Sequence, residues 1–182
     1  GSRLIVTGYG TKPYSFTWNK TSNNYDFIGN VETPPTSYNN FFGIRMDVSG
    51  YKLVLTDQGG YVYYTTWDVS LNNYGLLIKT LDNVQRQTNQ NLGMSADGSI
   101  ISYGAYNGSG FGYAVWNGTN YSDFVRIISL DGLSNTGSCL SPDGNNLFFN
   151  GQMQSKLCFD AMMYKFSDYY DTNLQSRVSW DT

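Results

Sequence analysis

A chain of 182 residues with 40% hydrophobic but only 14% charged residues, 20 Gly and 16 Tyr has few strong helix formers, and this favours short strands joined by tight turns. Its net charge of −3, with no run of Lys or Arg, excludes the electrostatic footprint of sequence-independent nucleic-acid or anionic-membrane binding. No apolar stretch approaches the roughly 20 residues of a membrane-spanning helix, and the absence of His removes the commonest general base, the Ser-His and Cys-His pairs and most transition-metal sites.

From the N-terminus, Gly1 holds a turn position and Leu4 to Val6 is expected as the first strand. The first large marker is Trp18, and it recurs as Trp67 and Trp116 at intervals of 49 residues, with Phe166 a further 50 on. Each is followed by a turn-forming or small residue: Asn19, Asp68, Asn117 and Ser167. A second column keeps step, with Tyr25 and Tyr74 seven residues past their Trp and Tyr121 five past Trp116 in a shortened copy. A third is the turn Val48-Ser49-Gly50, repeated as Ala96-Asp97-Gly98 and Pro142-Asp143-Gly144. Three columns with one period define an internal repeat.

The third copy predicts strands over Leu92 to Ser95, Ser99 to Ala105, Gly110 to Trp116 and Phe124 to Ser129, with Asp97-Gly98 and Asn107-Gly108 as turns. Each period is then an antiparallel meander of four strands, which cannot bury both faces alone and must stack on its neighbours. The expected fold is all-β: β-propeller-type repeats, about four blades in a single domain over 1–182, with repeats near 1–49, 50–97, 98–143 and 144–182. The first blade is expected to lack its innermost strand, so that Leu4 to Val6 forms an open edge that another copy or a larger propeller would cover.

The strings Met94-Ser95-Ala96-Asp97-Gly98 and Leu140-Ser141-Pro142-Asp143-Gly144 resemble propeller repeats of the WD40-like and TolB-like kind. Gly104-Ala105-Tyr106-Asn107-Gly108, followed by Val115-Trp116-Asn117-Gly118-Thr119, is similar to FG-GAP-related repeats of microbial and viral surface proteins. This resemblance implies a non-catalytic binding or structural module at a cell surface or virion, extracellular, displaying loops to a protein or glycan and self-associating or joining a larger assembly. The calcium-binding FG-GAP loop resembles Asp-x-Asp-x-Asp-Gly, whereas each turn here offers at most one carboxylate, so no metal or cofactor is expected.

The packing reading of Trp18, Trp67, Trp116 and Phe166 is favoured over ligand contact, because a large side chain at the end of the third strand fills the wedge between sheets. Gly50, Gly98 and Gly144, with Asp97 and Asp143, are read as structural turn residues. Tyr25, Tyr74 and Tyr121 lie nearer the outer loop and are the candidates for stacking on a glycan. The alternative function is a carbohydrate-active propeller enzyme, glycosidase or sialidase-like, using Asp carboxylates. Its five Arg residues, Arg3, Arg45, Arg86, Arg126 and Arg177, do not converge in this reading, and only Arg45 falls on an inner strand. Cys139 and Cys158 are placed on the first and third strands of the fourth blade, about 9.6 Å apart by strand spacing, which predicts free thiols.

Overall fold

The computed structural model describes residues 2–8, 10–35, 40–81, 92–104, 111–121, 125–128, 133–153, 161–165 and 177–178. Every regular element among them is a β-strand, in four antiparallel meanders. The chain forms two compact units, residues 1–89 and 90–182.

In the first unit, β1 (Arg3–Val6), β2 (Tyr14–Asn19) and β3 (Asn24–Asn30) form a three-stranded sheet in the order β1-β2-β3. The second sheet runs β4 (Phe41–Met46), β5 (Lys52–Asp57), β6 (Val62–Asp68) and then β7 (Asn73–Tyr74), with β8 (Ile78–Leu81) also pairing β6. Strands β7 and β8 pair opposite ends of β6, Tyr74 with Trp67 and Leu81 with Val62, so together they occupy the fourth, outermost position.

In the second unit, the third sheet is β9 (Leu92–Met94), β10 (Ile100–Gly104), β11 (Phe111–Val115) and β12 (Val125–Ile128). These four strands fall inside the ranges expected from sequence. The fourth sheet is β13 (Leu133–Leu140), β14 (Asn146–Met153), β15 (Ala161–Lys165) and β16 (Arg177–Val178). Cys139 lies on β13 opposite Phe148, while Cys158 lies outside the described residues, so the expected thiol separation does too.

The first sheet is three-stranded, and Leu4 to Val6 lies at its edge, paired by β2 alone among the described residues. Strand β5 of the second sheet is buried on both faces. Leu53, Val54, Leu55, Thr56 and Asp57 of β5 are all buried, a continuous run with no exposed alternate position, as a strand covered on two sides requires. Leu53, Leu55, Tyr63, Tyr74 and Leu77 make the core of this unit with Val31 and Phe41, and Ile5 of the first sheet packs against them.

Successive sheets meet through the same repeat positions in both units. Arg3 reaches the turn glycine of the second sheet, where a Cβ on Gly50 would lie 3.3 Å from its Cδ. Ile100 sits likewise over Gly144, where a Cβ would meet Ile100 Cδ1 at 3.1 Å and Ser95 Cβ at 3.2 Å. Ala96 N donates to Pro142 O at 2.8 Å in the same junction. Gly144 has φ +74°, so its replacement by Ala adds left-handed strain to this crowding. Gly144→Ala is expected to cost about 1–3 kcal/mol in urea unfolding. Gly118→Ala is the control, since φ there is +104° but nothing lies within 4 Å of the added carbon. A smaller loss at Gly144 than at Gly118 would show that the sheet junction is not tightly packed.

Candidate functional site

Three side-chain devices recur at one end of the sheets. The first is the hairpin between the two inner strands. Gly50, Gly98 and Gly144 all have positive φ, 71°, 64° and 74°, and each N–H donates to the carbonyl three residues back, at 2.9 Å. In the third and fourth sheets Ser95 and Ser141 donate to Asp97 and Asp143, whose carboxylates also accept the amides of Ser99 and Asn145. In the second sheet the two residue types exchange places: Ser49 Oγ donates to Asp47 Oδ2 at 2.7 Å, and Asp47 Oδ1 accepts the Lys52 amide at 3.0 Å. The bond pattern is preserved although the sequence positions swap. Asp97 and Asp143 therefore hold backbone.

The second device follows each Trp. Asn19, Asp68 and Asn117 each accept, through one side-chain oxygen, the amides two and three residues on. Asn23 and Asn72 complete the longer turns at φ 52° and 47°, and Gly118 takes φ 104° in the shortened one. This side-chain turn explains why a polar residue succeeds the Trp.

The third device is the Trp–Tyr pair across the two outer strands. Trp18–Tyr25, Trp67–Tyr74 and Trp116–Tyr121 meet edge to face at centroid distances of 5.0, 5.3 and 5.1 Å. Tyr74 Oη donates to Gly50 O at 2.6 Å and Tyr121 Oη to Gly98 O at 2.9 Å, tying the outer turn to the inner one. Tyr74 and Tyr121 are buried. The expectation that they offer ring faces to a glycan is corrected accordingly: packing on Trp and a bond to the glycine carbonyl occupy them. Tyr25 is half-buried against Trp18. The three tryptophans are half-buried and pack on their Tyr partners, and Phe166 lies outside the described residues.

Arg3 was not singled out by sequence, yet it joins two sheets. Its guanidinium carbon lies 3.8 Å from the Trp67 ring centroid, and Nη1 donates to Gly50 O at 2.8 Å. Only the repeat spacing could have signalled this, since Arg3 holds the position that Lys52 and Ile100 hold in later copies. Arg45 is exposed and donates to the neighbouring Ile44 carbonyl.

Hydrogen bonds from Ser70 and the Leu71 amide hold the Asp68 carboxyl below its usual range, and bonds from Ser141 and the Asn145 amide do the same for Asp143. A carboxylate with a lowered folded-state pKa stabilises the fold above its unfolded value near 3.8, and that stabilisation is lost as pH falls through the lower folded value. The urea midpoint is expected to drop below about pH 4. Asp68→Asn with Asp143→Asn should flatten that drop, and an unchanged slope would assign acid sensitivity elsewhere. Among the described residues no group of three or more His, Cys, Asp or Glu side chains could hold a metal.

The polar groups of these turns bond to the chain itself, whereas several apolar side chains at the same end of the second sheet meet water. Val48 in the β4–β5 turn is 85% exposed, and Val69 and Leu71 in the β6–β7 turn are 84% and 62% exposed. These turns share one end because they are two strands apart in a meander, and the Tyr74–Gly50 bond fixes their proximity. The first sheet carries Lys20 and Ser22 where the second carries Val69 and Leu71. Position-by-position comparison of the copies could have found this change; the hydrophobic pattern alone could not.

The architecture is that of a β-propeller repeat protein. It is similar to a candidate 6-phosphogluconolactonase of Bacteroides uniformis, at 10% identity and a TM-score of 0.60 over 97% of this chain and 53% of that one. The nidogen/laminin complex matches with a TM-score of 0.62 at 13% identity, over 97% of this chain and 61% of that one. The Cps50 (Swd1) β-propeller domain of Myceliophteria thermophila matches with a TM-score of 0.58 at 15% identity, over 83% of this chain and 47% of that one. The chain spans about half the length of the two candidate lactonases it matches, 53% and 55%. No protein-family model and no curated protein matches the sequence.

Proposed function

We propose that this chain is a non-catalytic binding module whose partner is a protein, contacted at the end of the second sheet that carries Val48, Val69 and Leu71. The observation that carries this reading is the exposure of those three side chains, two of which, Val69 and Leu71, stand where the first copy has the polar Lys20 and Ser22. Exposed apolar clusters of this kind favour protein contact. Similarity to propellers in the nidogen/laminin and mitotic checkpoint complexes supports it at the level of fold. Val69→Asp with Leu71→Asp should abolish partner capture by a photocrosslinker placed at Ser70, with stability held within about 0.5 kcal/mol. Glycan binding that survives both changes would sink the proposal in favour of a carbohydrate partner.

A second reading, a carbohydrate-active enzyme, is favoured by the candidate lactonases among the similar folds. Its obstacle is that Asp47, Asp57, Asp68, Asp97 and Asp143 all accept bonds that shape turns or the core. Hydrolysis of 6-phosphogluconolactone or of a glycoside above the buffer rate would establish it. A surface or virion setting, drawn from the FG-GAP resemblance, is part of the proposal. A membrane-impermeant amine reagent applied to intact cells or particles should then label the chain's lysines, and would miss them in an internal protein.

A further inference from the structure

The turn after Trp116 is the third copy of the device that Asn19 and Asp68 head in the first two sheets. Asn117 heads it with an exposed side chain whose Oδ1 accepts three bonds, from the Thr119 and Asn120 amides at 3.0 Å each and from Thr119 Oγ1 at 2.9 Å. Its Nδ2 donates to Asn120 Oδ1 at 2.6 Å. Hydrogen bonds gathered on a carbonyl oxygen draw charge from its carbon and stabilise the oxyanion that forms when a nucleophile adds there. The next nitrogen in the chain is that of Gly118. It donates no hydrogen bond among the described residues, and nothing lies within 4 Å of where a Cβ would stand. In the first and second copies the corresponding residues are Lys20 and Val69, whose side chains restrict the backbone rotation that such an approach requires.

We propose that Asn117 is a site of spontaneous covalent modification, deamidation through a succinimide. The Gly118 nitrogen adds to Asn117 Cγ, the Cγ–Nδ2 bond breaks, and the proton lost by Gly118 reaches Nδ2 through water, so that ammonia leaves. Water then adds to one of the two ring carbonyls, its oxygen staying on carbon and a proton returning to nitrogen, to give aspartate or its β-linked isomer. Water is the only co-reactant. The other Asn-Gly and Asp-Gly pairs among the described residues lack this arrangement. The amides of Gly98 and Gly144 donate to Ser95 O and Ser141 O at 2.9 Å, and the residues before them, Asp97 and Asp143, are carboxylates already bound by a hydroxyl and an amide. Asn150-Gly151 lies inside β14. The second copy shows what the product does: Asp68 accepts the amides two and three residues on, so aspartate at this position keeps the turn while adding a negative charge. The β-linked isomer instead lengthens the turn between Trp116 and Tyr121 by one backbone carbon. The inference is independent of the partner surface at Val69.

Peptide mapping by mass spectrometry of the folded 182-residue chain, sampled over days at neutral and mildly alkaline pH, tests it. The expected result is a gain of about 1 Da at Asn117, with the β-linked product methylated by an isoaspartyl methyltransferase, while Asp97 and Asp143 stay α-linked. Isoelectric focusing should resolve an acidic form that grows with time and does not appear in Asn117→Gln. Gly118→Ala should slow the conversion about tenfold or more, and near-UV circular dichroism checks that both variants are folded. Asn117→Asp, the product itself, should keep the parent's urea midpoint. An Asn117 that stays intact would overturn the proposal, as would β-linked aspartate accumulating at Asp97 or Asp143 as fast as at Asn117.

Discussion

Replacing Tyr74 by Ala is expected to lower stability by about 3–5 kcal/mol, the range for deleting a large buried aromatic side chain. Its ring is buried edge-on against Trp67, and its hydroxyl donates to Gly50 O at 2.6 Å, so the change opens a cavity and cuts the link between outer and inner turns. Tyr74→Phe should cost only about 1 kcal/mol, because Gly50 O keeps the Arg3 Nη1 bond at 2.8 Å. Burial, opposed by the Arg3 charge and reinforced by that of Asp47, pushes the Tyr74 hydroxyl up to about 12 from 10.0. A folded-state value above the unfolded one means this contribution is whole below about pH 10 and is lost as pH rises through about 12. Urea unfolding of the two variants, with tyrosinate absorbance during alkaline titration, checks both parts. A Phe variant as unstable as the Ala variant would place the energy in the hydroxyl rather than the ring.

The period, the glycine turns and the strands of the third sheet could be read from the sequence because they are local. A positive-φ turn needs Gly wherever it occurs, and a Trp that fills a wedge needs the same size in every copy. The role of Tyr74 could not be read this way. Its hydroxyl partner lies 24 residues away, and it is buried in a core cluster built from distant strands, so a loop-proximal aromatic with a polar tip looked like a stacking platform. The Asp47/Ser49 exchange was hidden for a related reason: two residue types trade places while their bonds stay the same, and the turn column read only as Gly with variable neighbours. Arg3 lay outside every column because its counterparts are Lys52 and Ile100, which share a position rather than a chemistry. What these residues do depends on the adjacent sheet, and only the stacking of repeats supplies that.

Asp57→Ala is expected to cost about 2–4 kcal/mol, because the carboxyl is buried at the β5–β6 hairpin and two donors depend on it. The Tyr61 amide donates to Oδ1 at 3.0 Å and Tyr63 Oη to Oδ2 at 2.9 Å. Tyr63 has no exposure to water, so its hydroxyl would lose this bond without gaining a solvent contact. Gly60 N donates to the Asp57 carbonyl at 3.0 Å, and that backbone bond survives the substitution, so the hairpin should keep its form while losing stability. Asp57→Asn should cost less, since its amide oxygen can still accept from the Tyr61 N–H. The decisive comparison is the cycle of Asp57→Ala, Tyr63→Phe and the double variant. Removing the hydroxyl that the first change orphans should recover part of the loss, giving a coupling of about 1–2 kcal/mol in urea unfolding. Strict additivity would mean that the Asp57–Tyr63 bond contributes nothing and that the cost of Asp57→Ala arises elsewhere, as at the Tyr61 amide.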